Sequence, residues 1–100
     1  MYVSDKVNEL KWRQSVKQAE RIINALSEYR NENGEYPESL GVLIPEYLER
    51  IPKTKVAFFN HRGFYYSRKT DTDEYVLGFA YVAWTLSEYS SATEEWTIED

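Results

Sequence analysis

Trp12, Val16, Ala19, Ile23 and Leu26 recur at spacings of three and four, with no Pro or Gly before Gly34. That period is one apolar stripe of an α-helix. It predicts a helix from about Ser4 to Asn33. Ser4 or Asp5 can cap its start by accepting bonds from free backbone N–H groups. Gly34 suits the left-handed residue just past its end, a conformation that Asn33 also tolerates. Such a helix is roughly 45 Å long. A domain of this size covers less than that, so the first turns are expected to project.

Beyond Gly34 the pattern changes. Tyr36 precedes a proline and so avoids helical geometry. Pro37 can open a short second helix with Leu40, Leu43 and Ile44 on its apolar face, ended or kinked at Pro45. Tyr47, Leu48 and Ile51 carry the packing on to Pro52. The remainder reads as strands. Phe64 to Arg68 is aromatic-rich and follows an Asn-His-Arg-Gly turn signal. Tyr75 to Tyr81 alternates large and small residues, Thr85 to Ser90 is a third strand, and Glu95 to Glu99 a fourth. Polar loops at Lys69 to Asp73 and Ser91 to Glu94 separate them, and Val56 to Phe59 is a further candidate edge. Helix followed by strands predicts an α+β fold, with a long N-terminal helix packed on a three- to four-stranded antiparallel sheet. The expected layout is one domain, with helix at 1–33, connector with a short helix at 34–55 and sheet at 56–100.

Composition narrows the classes. With no cysteine there is no disulfide scaffold and no thiolate metal site, while the compartment stays open. A net charge of −5 disfavours nucleic acid as the default partner. The charge is uneven. Residues 51–69 hold Lys53, Lys55, Arg62, Arg68 and Lys69 and no acid, whereas residues 71–100 hold eight acids and no base. Three readings stay open: mutual neutralisation within one sheet, opposite faces that join identical subunits head to tail, or an anion site on the basic stretch. No run of about 20 apolar residues is present, so the sequence as given does not span a membrane.

The passage from Tyr29 through Gly34 to Tyr36-Pro37 resembles the start of the globular head in type IV pilin-like proteins, especially the pseudopilins of type II secretion. There a long helix runs through a Tyr-x-x-x-x-Gly-x-Tyr-Pro passage into a short helix, a proline and a small antiparallel sheet. The resemblance implies a structural subunit, major or minor, of a pilus or pseudopilus. It implies an extracytoplasmic head, held at the inner membrane before assembly by an apolar anchor helix, and other pilin-like subunits as partners. Met1 opens directly onto a polar helix, so the expectation is a soluble, monomeric head separated from that anchor.

Val3, Val7 and Leu10 lie roughly opposite the Trp12–Leu26 stripe and are the candidate assembly strip. Phe58, Phe59, Phe64, Tyr65 and Tyr66, interleaved with the five basic residues, could form a stacking platform. The alternative function is therefore a non-enzymatic extracytoplasmic binding module, using residues 53–69 on an anionic polymer or DNA. Strand alternation places half of those rings in the core. His61, the one histidine, sits in a turn with no nucleophile motif, so no catalytic residue is expected. Asp71-Thr72-Asp73-Glu74 offers hard oxygens, but not the further ligand, Gly and distant Glu of an EF-hand loop. Some major pseudopilins carry calcium in a loop of the sheet region, and the resemblance carries none of those ligands over to a residue of this chain. The expectation is a solvated hairpin loop, no metal ligands and no cofactor, with a weak calcium site at this loop as the alternative.

Overall fold

The computed structural model describes the backbone of residues 2–54, 63–82 and 85–99, and the side chains of 10–54, 63–80 and 85–98. Helix α1 spans Tyr2–Asn33. It ends where the sequence says: Gly34 takes a φ of +85° and donates its N–H to the Arg30 carbonyl at 2.8 Å. The Asn33 side chain donates to the Tyr29 carbonyl at 3.0 Å, covering another orphan acceptor of the last turn.

Four strands follow: β1 (Tyr65–Lys69), β2 (Glu74–Val82), β3 (Thr85–Ser90) and β4 (Glu95–Glu99). They form an antiparallel meander in the order β1-β2-β3-β4. The α+β arrangement expected from the sequence is the one observed. Three strands match the expected spans within a residue, and β2 extends one residue further at each end. The candidate edge at Val56 to Phe59 lies outside the described residues.

Register places Tyr66, Leu77, Tyr89 and Trp96 in one row across the sheet. Directly opposed side chains of antiparallel strands share a face, and this row faces α1. Beneath it Ala19, Ile22, Ala25 and Leu26 are buried with Leu43, Leu48, Tyr75 and Leu77. The Trp12 indole donates to the Ser87 hydroxyl at 2.8 Å and stands edge-on to Trp96, with ring centres 6.4 Å apart. The helix is therefore docked on the sheet from Trp12 onward.

Two expectations change. The buried face of α1 is centred on Ser15, Ala19, Ile22 and Leu26, while Val16 and Ile23 sit half-buried at its margin. The small Ser15 and Ala19 suit this position because the sheet supplies bulky rings that fill the space above them. The second helix is only a 3₁₀ turn at Leu40–Leu43. Ser39 before it and Ile44 after it are both extended, and Ile44 leads into a cis peptide bond at Pro45. The residue preceding a proline is excluded from helical geometry, which stops the turn after four residues.

On the opposite sheet face Tyr65, Gly78 and Glu88 are in register. The Tyr65 ring crosses Gly78, where a Cβ would collide with it and lie 2.8 Å from the Ser87 carbonyl oxygen. Its hydroxyl donates to Glu88 Oε2 at 2.5 Å. The missing Cβ thus permits a bridge across three strands.

Burial separates the two ends of α1 in energy. Leu26 has no exposed surface, whereas Leu10 is 58% exposed. Leu26→Ala is expected to cost about 2–5 kcal/mol, as removal of a buried leucine side chain does. Leu10→Ala should cost under about 0.5 kcal/mol. Urea melts of both variants check this, and equal losses would contradict the docking described.

Candidate functional site

Of the expected basic stretch, the described Arg68 and Lys69 border one hollow and Lys53 lines a different groove. Arg68 points to the helix side, where its Nη1 donates to the Tyr36 carbonyl at 2.7 Å and lies 3.9 Å from a Glu35 oxygen. Lys69, next along β1, is exposed and opposed in register to Glu74. Both border a hollow of about 60 Å³ that also contains Glu35 and Asp73, so carboxylates accompany these cations. Lys53 lies elsewhere. It shares an open groove of about 400 Å³ with Gln18 and Arg21 of α1 and with Arg50. Lys55, Arg62 and His61 lie outside the described residues. Carboxylates of the acidic final third, Glu74 opposite Lys69 and Asp73 in the hollow, stand beside this end of the basic stretch, and Glu35 from the connector adds a further one beside Arg68.

The stacking platform is likewise dispersed. Phe64 stands edge-on to Phe79 at 5.6 Å, and Tyr66 packs against Tyr75 at 5.6 Å. Tyr65 is on the outer face over Gly78. Phe58 and Phe59 lie outside the described residues.

On the other flank of α1 is a second open groove, of about 460 Å³. Glu20, Ile23 and Asn24 form its helix side, and Tyr89, Glu94 and Trp96 its sheet side. Glu94 is held with φ near +58° at the end of the β3–β4 turn, where its N–H donates to the Ser90 carbonyl at 2.7 Å. Burial, followed by the nearby Glu94 carboxylate, raises the Tyr89 phenol above its ordinary pKa. Neither groove was legible as a site in the sequence. Each joins helix residues to partners that come 25 or more positions later, and no local motif announces that meeting.

Of the assembly strip, Leu10 is strongly exposed on α1, while the side chains of Val3 and Val7 lie outside the described residues. In the acidic loop Asp73 is held by Arg30, whose Nε donates to Oδ2 at 2.8 Å. Thr72 donates to Glu74 at 3.2 Å. No cluster of three or more metal-ligating side chains occurs among the described residues, nor any helix long and apolar enough to cross a membrane.

The connector is tied to β1 through two carbonyls. Tyr66 donates its hydroxyl to the Pro37 oxygen at 2.7 Å, and Arg68 reaches that of Tyr36. Burial pushes the Tyr66 phenol up to about 12 and raises that of Tyr75 still further.

The tyrosines set the alkaline limit. A phenol whose pKa is higher folded than unfolded adds stability below the ordinary value and loses it as pH rises through the folded value. Stability should therefore fall from pH 10 toward about pH 12, the span over which Tyr66 is shifted. A phenolate-absorbance titration, followed alongside circular dichroism, should show these phenols ionising together with unfolding. Smooth titration of every tyrosine near pH 10 with the fold intact would contradict the burial. For the acidic loop, millimolar calcium should move Tm by less than about one degree. A clear rise that disappears in Asp73→Ala would establish a cation site there.

No protein-family model matches the chain, and neither curated proteins nor solved structures yield a match, so its function rests on its fold and surface chemistry.

Proposed function

We propose that this chain is the head of a pilin-like subunit, major or minor, that builds a type IV pilus or a type II secretion pseudopilus. One observation carries the reading. A single long helix packs along a four-stranded antiparallel meander, and the Tyr36-Pro37 connector after the helix is bonded to β1. That is the layout the Tyr29–Pro37 passage implies. The exposed Leu10 supports it from the other end, where α1 offers an apolar side chain away from the sheet.

The subunit acts by assembly, not by turnover. Apolar anchor helices bundle at the centre of the filament, and the heads pack around them outside the cytoplasm. The reading requires an apolar segment of about 20 residues ahead of Tyr2 in the precursor, holding the subunit in the inner membrane before assembly.

A second reading rests on a different observation. Arg21, Arg50 and Lys53 share a groove, and cations gathered on one surface suit an anionic polymer. The net charge of −5 weighs against it.

Two measurements separate the readings. In the full-length subunit Leu10→Arg should abolish filament formation while leaving the melting of the head unchanged. Assembly at the wild-type level in that variant would remove the helix strip from the mechanism. In a mobility-shift assay at about 50 mM salt the head should not retard single- or double-stranded DNA. Micromolar binding, lost on charge reversal at Arg50 and Lys53, would favour the binding module.

A further inference from the structure

The two grooves flanking α1 are chemically complementary. At about 100° per residue, Gln18 and Arg21 fall on one side of the buried stripe and Ile23 and Glu20 on the other, with Asn24 at the back of the helix beside Glu20. Arg50 and Lys53 extend the first flank in positive charge. Glu94 extends the second in negative charge, beside the half-buried rings of Tyr89 and Trp96. Among the described residues no acidic side chain lines the basic groove, and no basic one lines the acidic groove. Both grooves are several hundred cubic ångströms and open.

We infer that the occupant of each groove is a second copy of this chain: the Arg21–Arg50–Lys53 flank of one head seats on the Glu20–Glu94 groove of the next. The chemistry fits on two counts. Two carboxylates at the groove mouth can accept hydrogen bonds from a guanidinium, which presents donors in a planar fork. The Tyr89 and Trp96 rings can receive the same cation over a face, and aromatic rings attract guanidinium groups. Lysine reaches the rim as a point charge.

The geometry then sets the mode of assembly. Because the complementary surfaces lie on opposite flanks of one helix, each head uses a different surface toward each neighbour. Such a contact is heterologous. It closes into a ring or continues as a helical filament, and it cannot form an isologous dimer. The inference rests on the assembly reading and identifies where neighbouring heads touch; the helix strip at Leu10 is a separate contact.

The test uses two double variants of the whole chain. Glu20→Gln with Glu94→Gln neutralises the acidic groove. Arg21→Gln with Arg50→Gln neutralises the basic one. All four positions are exposed, so both variants should melt as the wild type does. Self-association of isotope-labelled chain is followed by NMR shifts of the Ile23, Asn24 and Glu94 amides up to about 1 mM chain, enough to populate a contact of about millimolar Kd. The wild type should show salt-sensitive shifts at these amides. Each double variant alone should associate at least roughly tenfold more weakly, a loss of about 1.4 kcal/mol. Mixing the two variants should restore the shifts, because one brings an intact acidic groove and the other an intact basic groove. The restored complex should stop at two chains.

Wild-type shifts absent at low salt, or undiminished in either double variant, would overturn the contact. So would shifts at Arg50 and Lys53 produced by DNA but not by a second copy. The assembly reading fails separately. If full-length subunits carrying the groove substitutions form filaments as the wild type does while Leu10→Arg stops them, the assembly reading stands and this contact falls. If the full-length wild type forms no filament, the assembly reading itself falls.

Discussion

The structure depends on a continuous aromatic layer between helix and sheet. From Tyr36, just past the end of α1, the rings run through Tyr75 at 4.8 Å and Tyr89 at 6.2 Å to Trp96 at 5.6 Å, and on to Trp12, about three turns into the helix. Phe79 and Phe64 branch from it at Trp96. Many of these pairs are edge-on or tilted, the arrangement that ring quadrupoles favour over face-to-face stacking. A single helix on a single sheet buries only one face of each, so large side chains must supply the area that a second layer would otherwise provide. The rings do so, and the small residues Ser15, Ala19 and Ala25 let α1 come down onto them.

Rings that carry hydroxyls and indole N–H groups bring polar atoms into this layer, and those atoms direct the joints. Tyr66 and Arg68 of β1 bind the carbonyls of Pro37 and Tyr36, while Trp12 binds Ser87. One bond set fixes the connector to the first strand, the other fixes the helix, where its docked part begins at Trp12, to the third. Among the described residues no buried side-chain polar atom lacks a partner. A half-satisfied interior would cost more than these bonds return. The Tyr36-Pro37 passage, which carries the family resemblance, is therefore also a mechanical joint.

The same docking creates the surface chemistry. A cylinder laid on a flat sheet leaves a concave angle along each side. The neighbouring side chains decide what each angle can hold: Arg21, Arg50 and Lys53 on one flank, Glu20 and Glu94 with two rings on the other. A helix lying on a sheet thus supplies two unlike surfaces without any further element, as the proposed side-by-side assembly would need.

The order and type of the main elements were already determined by the sequence alone. The apolar period of three and four in α1, the stop at Gly34, and the alternation in Tyr75 to Tyr81 are local signals, set by backbone sterics and side-chain direction. They mark the helix, its end and the four strands within a residue or two. Position in space was decided by the tertiary structure. Ile22 rather than Ile23 faces the core because the sheet, not the helix, chooses which margin of a broad apolar stripe it covers. The short second helix gave way to a 3₁₀ turn, where the proline that follows and the bonds from β1 outweigh local helical tendency. The basic run at 53–69 read as one feature because its residues are neighbours in sequence. Folding sends Arg68 under the sheet to the Tyr36 carbonyl and leaves Lys53 beside Arg21 and Arg50. Contacts between residues far apart along the chain have no local signature, so those surfaces exist only once α1 has settled on its aromatic layer.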